Sequence, residues 1–134
     1  MVVIDTGPLV ALFDESEEQH EVCYEAMKTL KGPPVTTWPV LTEVFYMLGS
    51  WRKGRVELWD FILSGGLRID DIHGDRWSRI RELMEKYSDL PMDFADASLV
   101  VLSEAHKVKT VFTLDRTDFS VYRPKHTPHF RIIP

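Results

Sequence analysis

The sequence predicts an α/β fold: a three-layer α/β/α sandwich on a mainly parallel five-stranded sheet. Three observations lead there. Short β-branched or apolar runs alternate with stretches of helical periodicity along the whole chain, and parallel neighbours need such crossover connections. The first run, Val2-Val3-Ile4, is apolar on both faces, as a strand covered by helices on both sides must be. The 134 residues fit one domain of ordinary size spanning 1–134, with no repeat, low-complexity tract or dividing linker.

Each element has its own signal. Gly7-Pro8 ends the first strand, and Leu9 to Phe13 reads as a short helix. Asp14 with Glu17 three residues on resembles a capping box. It predicts a helix to about Lys31 with Val22, Ala26 and Leu30 on its inner face and Gly32 as its stop. Pro33-Pro34 breaks the chain before a second strand, Val35-Thr36-Thr37. Thr37 can cap the next helix, Pro39 is tolerated in its first turn, and Leu41, Val44, Phe45 and Leu48 recur at helical spacing up to Gly49. Val56, Trp59, Ile62 and Leu63 mark another helix, stopped by Gly65-Gly66. Leu67 to Ile72 is the third strand. Trp77, Ile80, Leu83, Met84 and Tyr87 mark a helix ending before Pro91, and Phe94 to His106 a further one. Thr110 to Leu114 and Phe130 to Ile133 are the last two strands, joined by a segment that lacks a clear helix and reads as loop-rich, with room for a helical turn.

Composition narrows the function classes. Hydrophobic residues at 44% and charged residues at 28% exclude a disordered chain. Apolar runs fall far short of the ~20 residues of a membrane span, and Asp5 follows the first residues too closely for a secretory signal. One cysteine, Cys23, allows no intrachain disulfide and suits a reducing cytoplasm. Cys23 reads as a small core residue. A net charge of −5 argues against broad nucleic-acid affinity, but residues 107–134 carry six basic and two acidic groups, and such a tail can dock phosphates locally.

The acidic residues are informative by position. Asp5 and Asp115 follow the first and fourth strands, at the carboxyl ends where ligands bind in parallel sheets. The alternative role for each is turn formation. Glu43 lies early in its helix with Val40, Val44, Met47 and Leu48 around it, so a cation, a cleft or a donor must face it, unless it simply serves the helix dipole. Asp93 is placed to cap the helix that starts at Phe94, which leaves Asp96, followed by the small Ala97 and Ser98, for the site. Carboxylates converging at one sheet end repel one another and raise each other's pKa, and a hard divalent ion relieves this. With no Cys cluster and no spaced His pair, oxygen ligands point to Mg²⁺ or Mn²⁺ rather than zinc. Such an ion serves phosphoryl chemistry.

At this point the chain resembles a PIN-domain ribonuclease of the VapC-like toxin family. The resemblance rests on Val3-Ile4-Asp5-Thr6-Gly7-Pro8-Leu9, on Leu41-Thr42-Glu43-Val44, on Asp96-Ala97-Ser98-Leu99-Val100 and on Thr113-Leu114-Asp115-Arg116-Thr117-Asp118-Phe119. Each motif is weak alone; all four in order span essentially the whole chain. The resemblance implies metal-dependent cleavage of RNA phosphodiester bonds in which Asp5, Glu43 and Asp96 hold Mg²⁺ (or Mn²⁺) and Asp115 assists as a fourth acid. Thr6 and Thr113 would orient the carboxylates or water. The fourth region stays open between Asp115 and Asp118; Asp115 is favoured because it leaves the strand directly, and Asp118-Phe119 is read as packing the next turn. The resemblance also implies an antitoxin protein as partner, and a homodimer.

Arg116 is the candidate for binding the substrate's phosphate, since Arg suits bidentate contacts; Arg52, Lys53, Arg55, Arg123, Lys125 and His126 read first as surface cations. His20, His73, His106 and His129 are dispersed and suggest no acid–base role. Trp51, Trp59 and Phe13 are assigned to core packing in preference to a partner groove. The alternative function is a non-catalytic PIN-fold module that binds RNA or protein; loss of a site acid would favour it, and all four are present. A haloacid-dehalogenase-like phosphatase needs Asp-x-Asp where this chain has Asp5-Thr6-Gly7, and a receiver needs paired acids there and a Lys after its last strand. Both fit badly.

Overall fold

The computed structural model describes residues 1–134. Five strands form one sheet: β1 (Val2–Ile4), β2 (Val35–Thr37), β3 (Arg68–Asp70), β4 (Thr110–Phe112) and β5 (Arg131–Ile133). The helices are α1 (Thr6–Phe13), α2 (His20–Lys28), α3 (Trp38–Leu48), α4 (Arg52–Leu63), α5 (Arg76–Lys86), α6 (Phe94–His106) and α7 (Arg116–Val121). The sheet order is β3-β2-β1-β4-β5, and every pairing is parallel. The order reverses at β1, so right-handed crossovers place α1–α4 on one face and α5–α7 on the other. A topological switch point therefore opens between the carboxyl ends of β1 and β4. There the ladder runs one step past the strands, with the Asp5 N–H donating to the Phe112 carbonyl (2.9 Å) and the Thr113 N–H to that of Ile133 (2.9 Å).

The central strands are buried on both faces: Val3, Ile4, Val111 and Phe112 are fully inaccessible. They share one continuous core with Leu9, Val44, Leu58, Leu83, Leu99 and Tyr122. Helix α6, the most buried, has the bounds its periodicity predicts. Asp93 caps its start by accepting from the Asp96 N–H (2.8 Å), and Lys107, at φ 54°, closes its end in the left-handed conformation. No helix is long and apolar enough to cross a membrane.

Five sequence expectations need correction. Helix α1 begins at Thr6, not Leu9, because Gly7-Pro8 lies in its first turn, where backbone N–H groups have no intrahelical partner and Pro costs nothing. Helix α2 begins at His20, not at Asp14. The Asp14 carboxylate instead accepts from the Ser16 N–H and hydroxyl (3.0 and 2.6 Å) and closes a turn. With that shift Val22 is exposed and Cys23 takes the core position. Helix α4 buries Gly54 and Leu58, while Val56, Trp59 and Leu63 face outward. The core assignment of Trp51 and Trp59 fails for the same reason: both stay about half exposed, at 48% and 51%. Finally, residues 115–129 hold a defined helix, α7, capped by Asp115.

Candidate active site

Backbone position explains how each acidic side chain reaches the switch point. Asp5 is the residue at which β1 becomes α1, and its Oδ1 accepts from the Thr6 N–H (2.8 Å) as an N-cap. Its Oδ2 accepts from the Thr113 hydroxyl (2.7 Å) across 108 positions of sequence. Thr113 in turn accepts from the Asp115 N–H (3.0 Å), so one hydroxyl ties the ends of β1 and β4 together. The Thr6 hydroxyl donates to Glu43 Oε1 (2.8 Å), drawing α3 toward α1. Asp96 stands one turn into α6, and its Oδ2 accepts from the Tyr122 hydroxyl (2.7 Å). Asp115 caps α7 by accepting from the Asp118 N–H (3.0 Å).

Of these acids, Asp96, Asp115 and Asp118 form the tight group, with one carboxylate oxygen of each within 4.8 Å of the others. Asp5 and Glu43 stand outside it, each engaged by a threonine hydroxyl. Charge coupling still joins the sets: Asp5 feels Glu43 and Asp93, and Asp96 feels Asp5, Asp93 and Asp115. Asp118 lies at the site together with Asp115, so the two residues of the fourth region are not alternatives in space. Asp93 serves as the cap and still adds its charge to the cluster. Arg116 is exposed, and one of its guanidinium nitrogens donates to the Pro134 carbonyl.

The electrostatics follow from burial. Asp5 is 7% exposed. Desolvation raises its pKa from 3.8 to about 6, against the hydrogen bonds from Thr113 and Thr6 that favour the anion. Asp96 is pushed to about 8, first by burial and then by the charge of Asp5, with the Tyr122 hydroxyl opposing. Burial, then the neighbouring Asp115, raises Asp118. Burial and the Asp96 carboxylate hold the Tyr122 phenol above its ordinary range.

These residues fit a hard divalent cation. Every ion pair of the protein lies elsewhere, so no Lys or Arg neutralises the group. The donors are all oxygens, the set that suits Mg²⁺ or Mn²⁺.

Sequence reasoning missed Tyr122. It follows Asp96 by 26 positions and reaches it from the end of α7, with its ring packed edge-on against Tyr87 and Phe119. Nothing in the local sequence signals that. Replacing Tyr122 with Phe keeps this packing and removes the donor. The Asp96 pKa should then rise by about one unit or more, read by carbon-13 NMR titration of the Asp96 carboxyl; an unchanged titration would show that the hydroxyl does not support this carboxylate.

A parallel sheet of order 3-2-1-4-5 with acids gathered at its switch point defines a class of acid-centred α/β proteins. The PIN domain family model matches residues 2–123, and the chain belongs to the PIN-domain family. It is similar to Ribonuclease VapC26 of Mycobacterium tuberculosis (strain ATCC 25618 / H37Rv), 28% identical over 143 aligned positions that cover 99% of this chain and 100% of that protein. Two solved structures share its fold. The Sarcin-Ricin loop cleaving toxin VapC20 of Mycobacterium tuberculosis superposes with a TM-score of 0.78 at 18% identity, over 87% of this chain and 92% of that one. A chain of a toxin–antitoxin complex from Klebsiella pneumoniae gives 0.72 at 17%, over 98% and 100%.

Proposed function

We propose that this protein is a metal-dependent endoribonuclease, the toxin of a toxin–antitoxin pair. The observation that carries this reading is the uncompensated carboxylate group at the switch point, with the buried Asp5 and the half-buried Asp96 both driven above the ordinary carboxylate range. The names of its relatives support the substrate class: one is a ribonuclease and one a Sarcin-Ricin loop cleaving toxin.

In this reading Asp5, Glu43 and Asp96 hold Mg²⁺ or Mn²⁺, with Asp115 and Asp118 at the fourth position. The bound ion supplies charge neutralisation for the phosphate and lowers the pKa of a coordinated water. The chain's own residues provide the rest. Thr113 and Thr6 fix the orientations of Asp5 and Glu43, so the carboxylates are preorganised before substrate arrives. Tyr122 engages one oxygen of Asp96 and leaves the other for ligation. Arg116, at the mouth beside Asp115, offers its remaining N–H groups to a phosphate oxygen. Hydrolysis adds one water across a P–O bond and leaves a phosphate on one fragment and a hydroxyl on the other.

A protein partner belongs to the same reading. Tyr46 and Met47 of α3, Trp59 and Leu63 of α4, and Trp51 between the two helices are all exposed, and apolar side chains left in water there suit an antitoxin or a second copy in a homodimer. A single buried cysteine suits the cytoplasm. The test is direct: purified protein freed of any partner should cut single-stranded RNA with Mg²⁺ or Mn²⁺, stop on addition of EDTA and resume when the metal is restored. Cleavage that persists in EDTA excludes a metal-dependent centre, and no cleavage under any of these conditions excludes the enzyme.

A further inference from the structure

A cleft of about 800 Å³ opens beside the acidic centre and shares Glu43 and Asp93 with it. Its walls are aromatic. Trp38 begins α3, Trp77 stands in the first turn of α5 and Phe94 begins α6. Their exposures are 57%, 53% and 37%. The rings are held in place without being covered. Trp77 and Phe94 stack with centroids 5.9 Å apart and planes 21° from parallel. The Trp38 indole N–H donates to the Asp71 carboxylate.

We propose that this cleft takes an unstacked base of a single-stranded RNA, next to the phosphate held at the acidic centre. The proposal rests on the nuclease reading and adds where the substrate's base goes. Leaving three large aromatic faces in water is unfavourable unless something flat covers them, and a base offers such a π-face whatever its identity. The rim charges choose among flat occupants. Asp71 and Asp93 repel a phosphate or an acidic peptide. They accept hydrogen bonds, however, and a base edge carries N–H donors without net charge. The position agrees: a strand whose phosphate sits over Asp5 and Asp96 meets the cleft at Glu43 and Asp93, the residues common to both sites. A duplex keeps its bases stacked and paired, so the substrate class is a loop or a single-stranded segment.

The test separates this inference from the nuclease reading. Full-length Asp5→Asn protein, chosen to keep RNA intact, is titrated with labelled single-stranded RNA and followed by anisotropy and by tryptophan quenching. Adding Trp77→Ala should weaken binding about tenfold or more, and Trp77→Phe should restore most of it. Tyr24→Ala, an exposed aromatic on α2, should change nothing. An oligonucleotide with abasic sites should bind the parent like the Trp77→Ala variant binds intact RNA, and a duplex of the same sequence should not quench. Equal affinity in Trp77→Ala and its parent, with wild-type protein still cleaving, overturns the subsite and leaves the nuclease standing. Trp77-dependent binding by a wild-type protein that never cleaves overturns the nuclease and keeps the subsite. Absence of RNA binding by Asp5→Asn and by wild-type protein held in EDTA overturns the subsite and leaves the cleft to a peptide, and only the further absence of cleavage by wild-type protein overturns the nuclease.

Discussion

Asp5→Asn should slow RNA cleavage by at least about a thousandfold while the protein stays folded. The size follows from losing one ligating charge at a centre where metal stabilisation is worth several kcal/mol, each ~1.4 kcal/mol being tenfold in rate. The fold survives because asparagine keeps the acceptor that caps α1 through the Thr6 N–H, and its amide can still meet the Thr113 hydroxyl. Relief of repulsion on Asp96 should bring that carboxyl down from about 8. Asp5→Ala is a harsher change, losing the cap as well, at about 1 kcal/mol of stability. Initial rates on a fluorogenic RNA with Mg²⁺, beside thermal melts of each variant, check both statements. Activity within tenfold of wild type would remove Asp5 from the metal site.

The metal-free protein should be most stable in mild acid and lose stability as the pH rises toward neutrality and beyond. Asp5 and Asp96 titrate near the ordinary carboxylate value when unfolded, 3.8, and at about 6 and about 8 in the fold. Between those values the folded chain holds more protons than the unfolded one. Stability therefore falls with each pH increment until both groups have ionised. At ~1.4 kcal/mol per unit, Asp5 alone accounts for on the order of 2–3 kcal/mol, several degrees of melting temperature in a domain of this size. Asp70 and Glu104, lowered by the hydrogen bonds of Arg76 and Arg79, act in the opposite sense, but their contribution is lost only below the usual carboxylate range. The maximum should then lie near pH ~4, where the two opposing sets of carboxylates balance. Melts in EDTA across pH, repeated with Mg²⁺, check this: the metal should raise the melting temperature most at high pH, where it meets ionised ligands. A melting temperature that climbs steadily with pH in EDTA contradicts the raised carboxyls.

What could be read in advance divides along physical lines. Val2–Ile4 and Val35–Thr37 were legible because an all-apolar or β-branched run bounded by Pro or Gly admits little else, and α6 because cap, periodicity and length agree. Asp93 was legible as the cap of α6 because capping is local chemistry. Helix faces failed where amphipathicity is weak: α4 carries apolar residues on both sides, and only the partner helices decide that Leu58 goes in and Trp59 stays out. Tyr122, the neighbourhood of Asp118, and the meeting of Trp38, Trp77 and Phe94 depend on how α3, α5, α6 and α7 converge at one end of the sheet. No window of sequence contains that convergence.

The hydroxyl bridge from Thr113 to Asp5 has a consequence for synthesis. Residues at positions 5, 43, 96, 113 and 122 must all be present before the acids are oriented. A nascent chain leaving the ribosome carries its first two acids long before the third and the groups that steady them. The acidic centre thus takes its final shape only when translation is nearly finished.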